Sequence, residues 1–189
     1  MIIIDNYDSF TYNIVEYVKI LGVKPRVFKN DEIDIFDIAK MNFSSIIISP
    51  GAGNPCNGGV STDVINKFYK TKKILGICLG HQIIATCFGA KVIKSDEPCH
   101  GKISKIYFKN NEKLFLGFKQ GFNATRYHSL SVDKNSLAQN KNIKTIAWTK
   151  DNLIMGIKIE GYKVFGVQFH PESILTENGI ALIKNFIDL

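Results

Sequence analysis

The sequence predicts an α/β fold: a mostly parallel central sheet with helices on both faces, plus a smaller antiparallel or mixed β portion in the C-terminal half. Two observations carry that prediction. Up to Val92, short apolar runs alternate with segments of helical periodicity. Beyond Val92, strand-like runs follow one another with turns between them. The chain has 189 residues, the size of one domain, so residues 1–189 are read as a single unit that can bury a core without staples.

The elements follow in order. Ile2, Ile3 and Ile4 form a short buried strand that stops at Asp5 and Asn6. Phe10, Ile14, Tyr17, Val18 and Leu21 recur at helical spacing, and Gly22 suits the residue after a helix end. Residues 25–28 read as a second strand and 33–41 as a short helix with Asp34 near its start. Residues 45–49 (SIIIS) are a buried strand that runs into a loop, 50–59, rich in Pro, Gly and Asn. A helix over 62–69, a strand over 73–77 and a helix over 80–88 complete the alternating half. In the second half, 103–108, 145–149, 153–160 and 163–169 read as strands, with a hairpin turn at Glu160-Gly161. Residues 178–189 read as an amphipathic helix.

Composition narrows the function classes. With 45% apolar and 22% charged residues, the chain is neither a disordered tail nor a collagen-like fibre. No apolar run approaches the ~20 residues that span a bilayer. The opening residues lack a basic region and meet Asp5 at once, so they read as a strand and not as a signal peptide. The net charge is +7, which invites a nucleic-acid reading. Only Arg26 and Arg126 are arginines, however, and bidentate phosphate and base readers favour Arg. The lysines are scattered, so neither nucleic acid nor membrane is expected as a partner. Cys56, Cys78, Cys87 and Cys99 form no CxxC and no zinc-type spacing, and read as reduced thiols of a cytoplasmic protein. Neither a P-loop nor a GxGxxG after a strand is present.

The strongest local signal is Gly76-Ile77-Cys78-Leu79-Gly80, with a strand before it and a helix after it. This is the nucleophile-elbow arrangement with Cys in place of Ser. Glycines on either side let strand and helix approach closely around a strained turn. The turn exposes the sulfur at the carboxyl end of the sheet, where α/β proteins bind ligands, and near a helix N-terminus, whose partial charge favours a thiolate. The backbone N–H of Leu79 can then serve an oxyanion. A free cysteine is more often only a small buried hydrophobe, and that reading suits Cys56, Cys87 and Cys99.

A thiol that attacks a carbonyl needs a base, and the base needs an orienting carboxylate. Among four histidines, His170 stands out in Gly166-Val167-Gln168-Phe169-His170-Pro171-Glu172. A strand runs directly into it, and Pro171 keeps it extended. Residues two apart on an extended segment point the same way, so His170 and Glu172 can lie side by side. His81 follows the elbow on a helix, His128 is read as lying in a loop, and His100 has no such context; these three are read as structural or peripheral.

Together these segments resemble the class I (triad-type) glutamine amidotransferases over essentially the whole chain. GICLGHQ around Cys78 and GVQFHPES around His170 and Glu172 resemble the family's triad motifs, and Ser49-Pro50-Gly51-Ala52-Gly53 its oxyanion loop. The opening DNYDSFTYN and RYHSL (126–130) are similar to the glutaminase subunits of anthranilate synthase (component II) and aminodeoxychorismate synthase. The resemblance implies Cys78 as nucleophile, His170 as base and Glu172 as its orienter. It implies Gly51 and Leu79 as oxyanion donors, with Gly51, Ala52, Gly53, Gln82, Ser129 and Leu130 around the L-glutamine substrate. Ala52 departs from the more usual SPGPG loop; losing that proline adds freedom but removes no donor.

The resemblance further implies no metal or organic cofactor in this chain, and a partner synthase subunit that binds chorismate and Mg²⁺ and consumes the ammonia. The expected function is the glutaminase half of anthranilate synthase, in tryptophan biosynthesis. Service to aminodeoxychorismate synthase in folate biosynthesis, or to both, stays open at this point. A γ-glutamyl hydrolase without a partner, a GMP or carbamoyl-phosphate amidotransferase subunit and an inactive relative are the rivals. The DNYDSFTYN opening argues against the second of these, and the presence of all three triad residues against the last.

Overall fold

A computed structural model describes the backbone of residues 1–189 and every side chain except those of Asn57, Asp96 and Glu97. The alternating half runs β1 (Ile2–Asn6), α1 (Thr11–Ile20), β2 (Arg26–Lys29), α2 (Ile35–Ala39), β3 (Ser45–Gly51), α3 (Val60–Phe68), β4 (Lys73–Ile77) and α4 (Leu79–Cys87). The second half runs β5 (Val92–Phe108), β6 (Phe122–Val132), α5 (Lys134–Ala138), β7 (Ile143–Thr149), β8 (Ile154–Ile159), β9 (Val164–Val167) and α6 (Gly179–Asp188). The strands join in one nine-stranded sheet ordered β2-β1-β3-β4-β9-β8-β7-β5-β6. Pairing is parallel from β2 to β9 and antiparallel from β9 to β6. The predicted α/β class therefore holds, with the antiparallel strands extending the same sheet.

Alternation within the strands decides which helix covers which face. Ile2, Ile4, Ile46 and Ile48 pack with Ile38 of α2, Val64 and Ile65 of α3, Ile83 and Ile84 of α4 and Leu137 of α5. Ile3, Ile47, Leu75, Ile77, Phe165 and Val167 pack on the other face with Ile14, Val15 and Val18 of α1 and Leu182, Ile183 and Phe186 of α6. Both faces of β1, β3 and β4 are thus dry, which is why these strands are isoleucine-rich runs. No helix among the described residues is long and apolar enough to cross a membrane.

Two corrections concern the second half. RYHSL lies in β6 and not in a loop, and β5 begins at Val92, well before the predicted 103. The apolar alternation of β6 is hidden because it buries Thr125, Arg126 and His128. These are held by hydrogen bonds: Arg126 Nε donates to His128 Nε2 (3.0 Å) and Nη1 to Ser104 Oγ (3.0 Å). In β5 the ladder to β6 shifts register between Lys94 and Cys99 and again between His100 and Lys102, so no clean period survives. The short α5 also went unpredicted; Asp133 caps it by accepting from the N–H groups of Asn135 and Ser136.

Candidate active site

Cys78 stands between β4 and α4 with φ 51° and ψ −100°. That conformation costs a non-glycine residue about 1–3 kcal/mol, and the surroundings hold it in place. Behind it, the Cys78 N–H donates to the Val167 carbonyl (2.8 Å), and its carbonyl accepts from the Gln82 N–H (3.2 Å). The flanking glycines are required sterically. A Cβ at Gly76 would sit 2.4 Å from the Gly80 backbone, and one at Gly80 2.4 Å from the Ile48 carbonyl oxygen. Leu79 is the first residue of α4, so its N–H is one of those that the helix leaves free.

The 49–53 loop is brought against this elbow. A Cβ on Gly51 would meet the Asn6 carbonyl oxygen at 2.5 Å and Leu79 Cδ2 at 2.9 Å. Asn6 is the anchor. Its N–H donates to Ser49 Oγ (2.9 Å), its Nδ2 to the Ser49 carbonyl (2.9 Å), and its Oδ1 accepts from Asn30 Nδ2 (3.0 Å) and Ser61 Oγ (3.1 Å). The turn that aims Asn6 is closed by Asp5, whose Oδ1 accepts from Thr11 Oγ1 (2.8 Å) and the Asp8 N–H (3.3 Å). Ala52 and Gly53 extend outward and are exposed.

His170 follows β9 and is delivered to the same end of the sheet. It is buried, and its Nδ1 lies 2.6 Å from Glu172 Oε1, the pairing expected from their spacing. Its backbone is clamped against β6: its N–H donates to the Thr125 carbonyl (3.0 Å), and Thr176 Oγ1 donates to its carbonyl (2.6 Å). Thr176 Oγ1 also accepts from the Thr125 N–H (3.0 Å). Tyr127 meets the imidazole edge-on at 5.1 Å, and Phe10 stacks on Tyr127 at 5.7 Å. Burial opposes the imidazolium, but interactions with Cys78 and Glu172 outweigh it and raise the His170 pKa to about 10. His170 Nε2 makes no hydrogen bond with the described residues. Cys78 and His170 follow the carboxyl ends of the adjacent parallel strands β4 and β9, which brings both to one end of the sheet.

The remaining predicted residues divide. Gln82 is buried, and its Nε2 donates to the Leu130 carbonyl (3.0 Å), so two of the predicted glutamine-site residues are joined. Ser129 is exposed and Leu130 half-buried on β6, which also brings the Tyr127 carbonyl to 4.0 Å from Cys78 Sγ. His128 is structural: it accepts from Arg126 at Nε2 and so donates from Nδ1 to the Leu130 carbonyl (2.9 Å). Burial first, and then the Arg126 charge, lower its pKa to about 4. His81 is wholly buried in α4 and is lowered to about 3, chiefly by burial. Cys99 is buried, Cys56 exposed, and burial raises the Cys87 thiol to about 11.

The sequence reading left three residues of this constellation without a separate role. Thr176 carries no sequence signal of its own. Asn6 lies in the DNYDSF opening, which pointed only to a resemblance. Gln168 lies two positions before His170, where the chain bends after β9, and its contacts are with Cys78 and Gln82 of another element. Together, a buried thiol on a strained turn, a carboxylate-held imidazole and a glycine loop beside a helix start can carry acyl transfer through a thioester.

Comparison with known proteins agrees with this arrangement. The family model described as glutamine amidotransferase class-I matches residues 2–189. The anthranilate synthase component 2 of Porphyra purpurea is 47% identical over 189 residues, covering 100% of this chain and 98% of that protein. The bifunctional protein TrpGD of Thermotoga maritima is also 47% identical over 193 residues; this chain spans 32% of its length. Among solved structures, a Thermoplasma acidophilum protein assigned as a GMP synthase subunit a superposes with a TM-score of 0.86 at 26% identity, covering 99% of this chain and 91% of that one. The chain belongs to the class-I glutamine amidotransferases and is an amidotransferase enzyme of the anthranilate synthase component 2 type.

Proposed function

We propose that this enzyme removes ammonia from the side chain of L-glutamine and passes it to a chorismate-binding synthase subunit, as the glutaminase half of anthranilate synthase in tryptophan biosynthesis. The observation that carries the reading is Cys78, held at a strained φ of 51° at the same end of adjacent parallel strands as an imidazole whose Nδ1 is 2.6 Å from a buried carboxylate. The identity of 47% to a component 2 protein, against 26% to the GMP synthase subunit, favours this branch of the family.

The chemistry follows from the residues. The Cys78 thiolate attacks the carboxamide carbon, and the N–H groups of Gly51 and Leu79 receive the developing oxyanion. His170 Nε2, protonated below its raised pKa of about 10, gives its proton to the departing nitrogen as the C–N bond breaks. Ammonia leaves, and a γ-glutamyl thioester remains on Cys78. The now neutral imidazole takes a proton from water; the hydroxide adds to the thioester and the C–S bond breaks. Glutamate departs, and the thiolate–imidazolium pair is restored. Glu172 keeps Nδ1 protonated, so Nε2 is the nitrogen that works. Gln82, Ser129 and Leu130 hold the α-amino and α-carboxylate end, and Ala52 and Gly53 flank it. Thiolate attack and proton transfer need no metal; Mg²⁺ belongs to the partner's chorismate chemistry.

Ammonia made by residues 1–189, one domain, needs an acceptor elsewhere. The surface beside the site suits a protein partner: Ile174 is 93% exposed and Leu175 54%, directly beyond the His170–Glu172 segment. The partner is expected to order the Ala52-containing loop and so raise glutaminase activity. The test is glutamate release by the chain with and without the anthranilate synthase large subunit, and by Cys78→Ser. The reading expects strong stimulation by the partner, anthranilate formed from glutamine, and no turnover by the serine variant. Full activity of the lone chain with no anthranilate formed would instead mark a γ-glutamyl hydrolase.

A further inference from the structure

Gln168 follows β9 and is fully buried, and the mechanism above gives it no task. Its Nε2 lies 3.6 Å from Cys78 Sγ, within range of an N–H···S hydrogen bond, and its Oε1 lies 3.0 Å from Gln82 Nε2. Which end of a side-chain amide faces a neighbour must be settled by its partners. Here the partners settle it. The Leu130 carbonyl can only accept, so the group of Gln82 that reaches it at 3.0 Å must be the NH₂. The same NH₂ faces Gln168, so Gln168 must answer with its oxygen. Its own NH₂ is therefore turned to the sulfur. Donation thus runs outward from the Gln82 NH₂, to the Leu130 carbonyl of β6 on one side and through Gln168 to the Cys78 sulfur on the other.

A donor aimed at sulfur favours the anion, since a hydrogen bond to a charged acceptor is stronger than one to a neutral acceptor. On this basis, and resting on the reading of Cys78 as nucleophile, we propose that Gln168 is a further residue of the reaction: its amide donates to the Cys78 sulfur, stabilises the thiolate and holds it on the line that the elbow sets. Gln168 makes and breaks no bond; it leaves the sulfur free to attack and receives it again when the thioester is cleared. His170 and Gln168 then divide the work, the first moving protons and the second fixing the anion.

The test reads Cys78 directly. Wild type, Gln168→Met and Gln168→Glu are alkylated with iodoacetamide across pH 5–10, and modification at Cys78 is followed by mass spectrometry. Gln168→Met nearly keeps the volume and removes the donor. Gln168→Glu keeps the shape and the Gln82 contact but turns a carboxylate oxygen to the sulfur. The alkylation profile is expected to move to higher pH by about one unit in the first and further in the second, with kcat for glutamate release falling at least tenfold and KM little changed. Profiles that coincide with wild type in both folded variants overturn the role of Gln168. Should Cys78→Ser retain glutaminase activity, the nucleophile assignment fails instead, and the two failures are distinct.

Discussion

Replacing Thr176 with valine keeps the volume of the side chain and removes one hydroxyl. That hydroxyl donates to the His170 carbonyl at 2.6 Å and accepts from the N–H of Thr125, a fully buried residue. The His170 carbonyl keeps a longer bond from the Ser173 N–H (3.3 Å), and Thr125 and His170 face each other as an antiparallel bridge, so the Thr125 N–H still has the His170 carbonyl before it. Each of the two hydrogen bonds lost with the hydroxyl costs about 0.5–1.5 kcal/mol. The total of about 1–3 kcal/mol corresponds to a fall in Tm of roughly 2–12 °C for a chain of this size. The segment that carries the imidazole loses one of its ties to β6 while keeping the His170 N–H on the Thr125 carbonyl, and a misplacement of ~1 Å is worth about 100-fold in rate. Glutaminase kinetics and thermal melts of Thr176→Val and Thr176→Ser check this. The serine variant should keep kcat within a few-fold of wild type, and the valine variant should lose kcat with KM nearly unchanged. A valine variant that melts early yet turns over like wild type would refute the positioning argument.

Three other expectations concern charge and space. His170 titrates at about 10, above its ordinary 6.5, so its contribution to stability is complete below pH 6.5 and is lost as pH rises through about 10. Glu172→Gln should flatten that alkaline decline in Tm and lower kcat by about 10²–10⁴; parallel Tm curves for the two proteins would exclude it. His81 and His128 titrate at about 3 and about 4, below their ordinary 6.5, so the unfolded chain takes up their protons first and stability falls as pH drops from 6.5. At pH 5 each should cost about 2 kcal/mol, and urea melts that give equal stability at pH 6.5 and pH 5 would contradict it. Gly80→Ala drives a Cβ to 2.4 Å from the Ile48 carbonyl, whereas Gly58→Ala meets chiefly the far end of the Ile83 side chain, its Cδ1 at 2.5 Å. The first should lose about 1–3 kcal/mol or more, together with activity, and the second distinctly less; equal urea midpoints would show that the elbow backbone yields more easily than this packing allows.

What could be read from the residues in advance depended on whether burial was apolar or polar. β1, β3 and β4 are dry on both faces, so their isoleucine runs announce them, and the elbow follows because only glycine fits at 76 and 80. His170 and Glu172 were legible as a pair two positions apart, although the chain turns at 171–172, with the Ser173 N–H on the His170 carbonyl, where an extended segment was expected. β6 was not, since its inward positions include Arg126 and His128, and only a hydrogen-bond network with Ser104 and Leu130 makes their burial tolerable. Asn6 and Thr176 act on backbone groups of residues 43 positions away in the one case and 51 in the other, and no local pattern encodes such reach. Gln168 depends for its value on Gln82, from a different element.

β9 is the fifth of nine strands, parallel to β4 on one side and antiparallel to β8 on the other. Because it is a keystone laid late, a nascent chain on the ribosome carries the elbow cysteine long before it owns a usable centre. Until residues 164–172 emerge and slot in, two strand edges stand open and the thiol has no imidazole at its side. Competence and closure of the sheet therefore arrive in a single step, and a chain stalled before that point is a hazard for aggregation without being a stray source of ammonia.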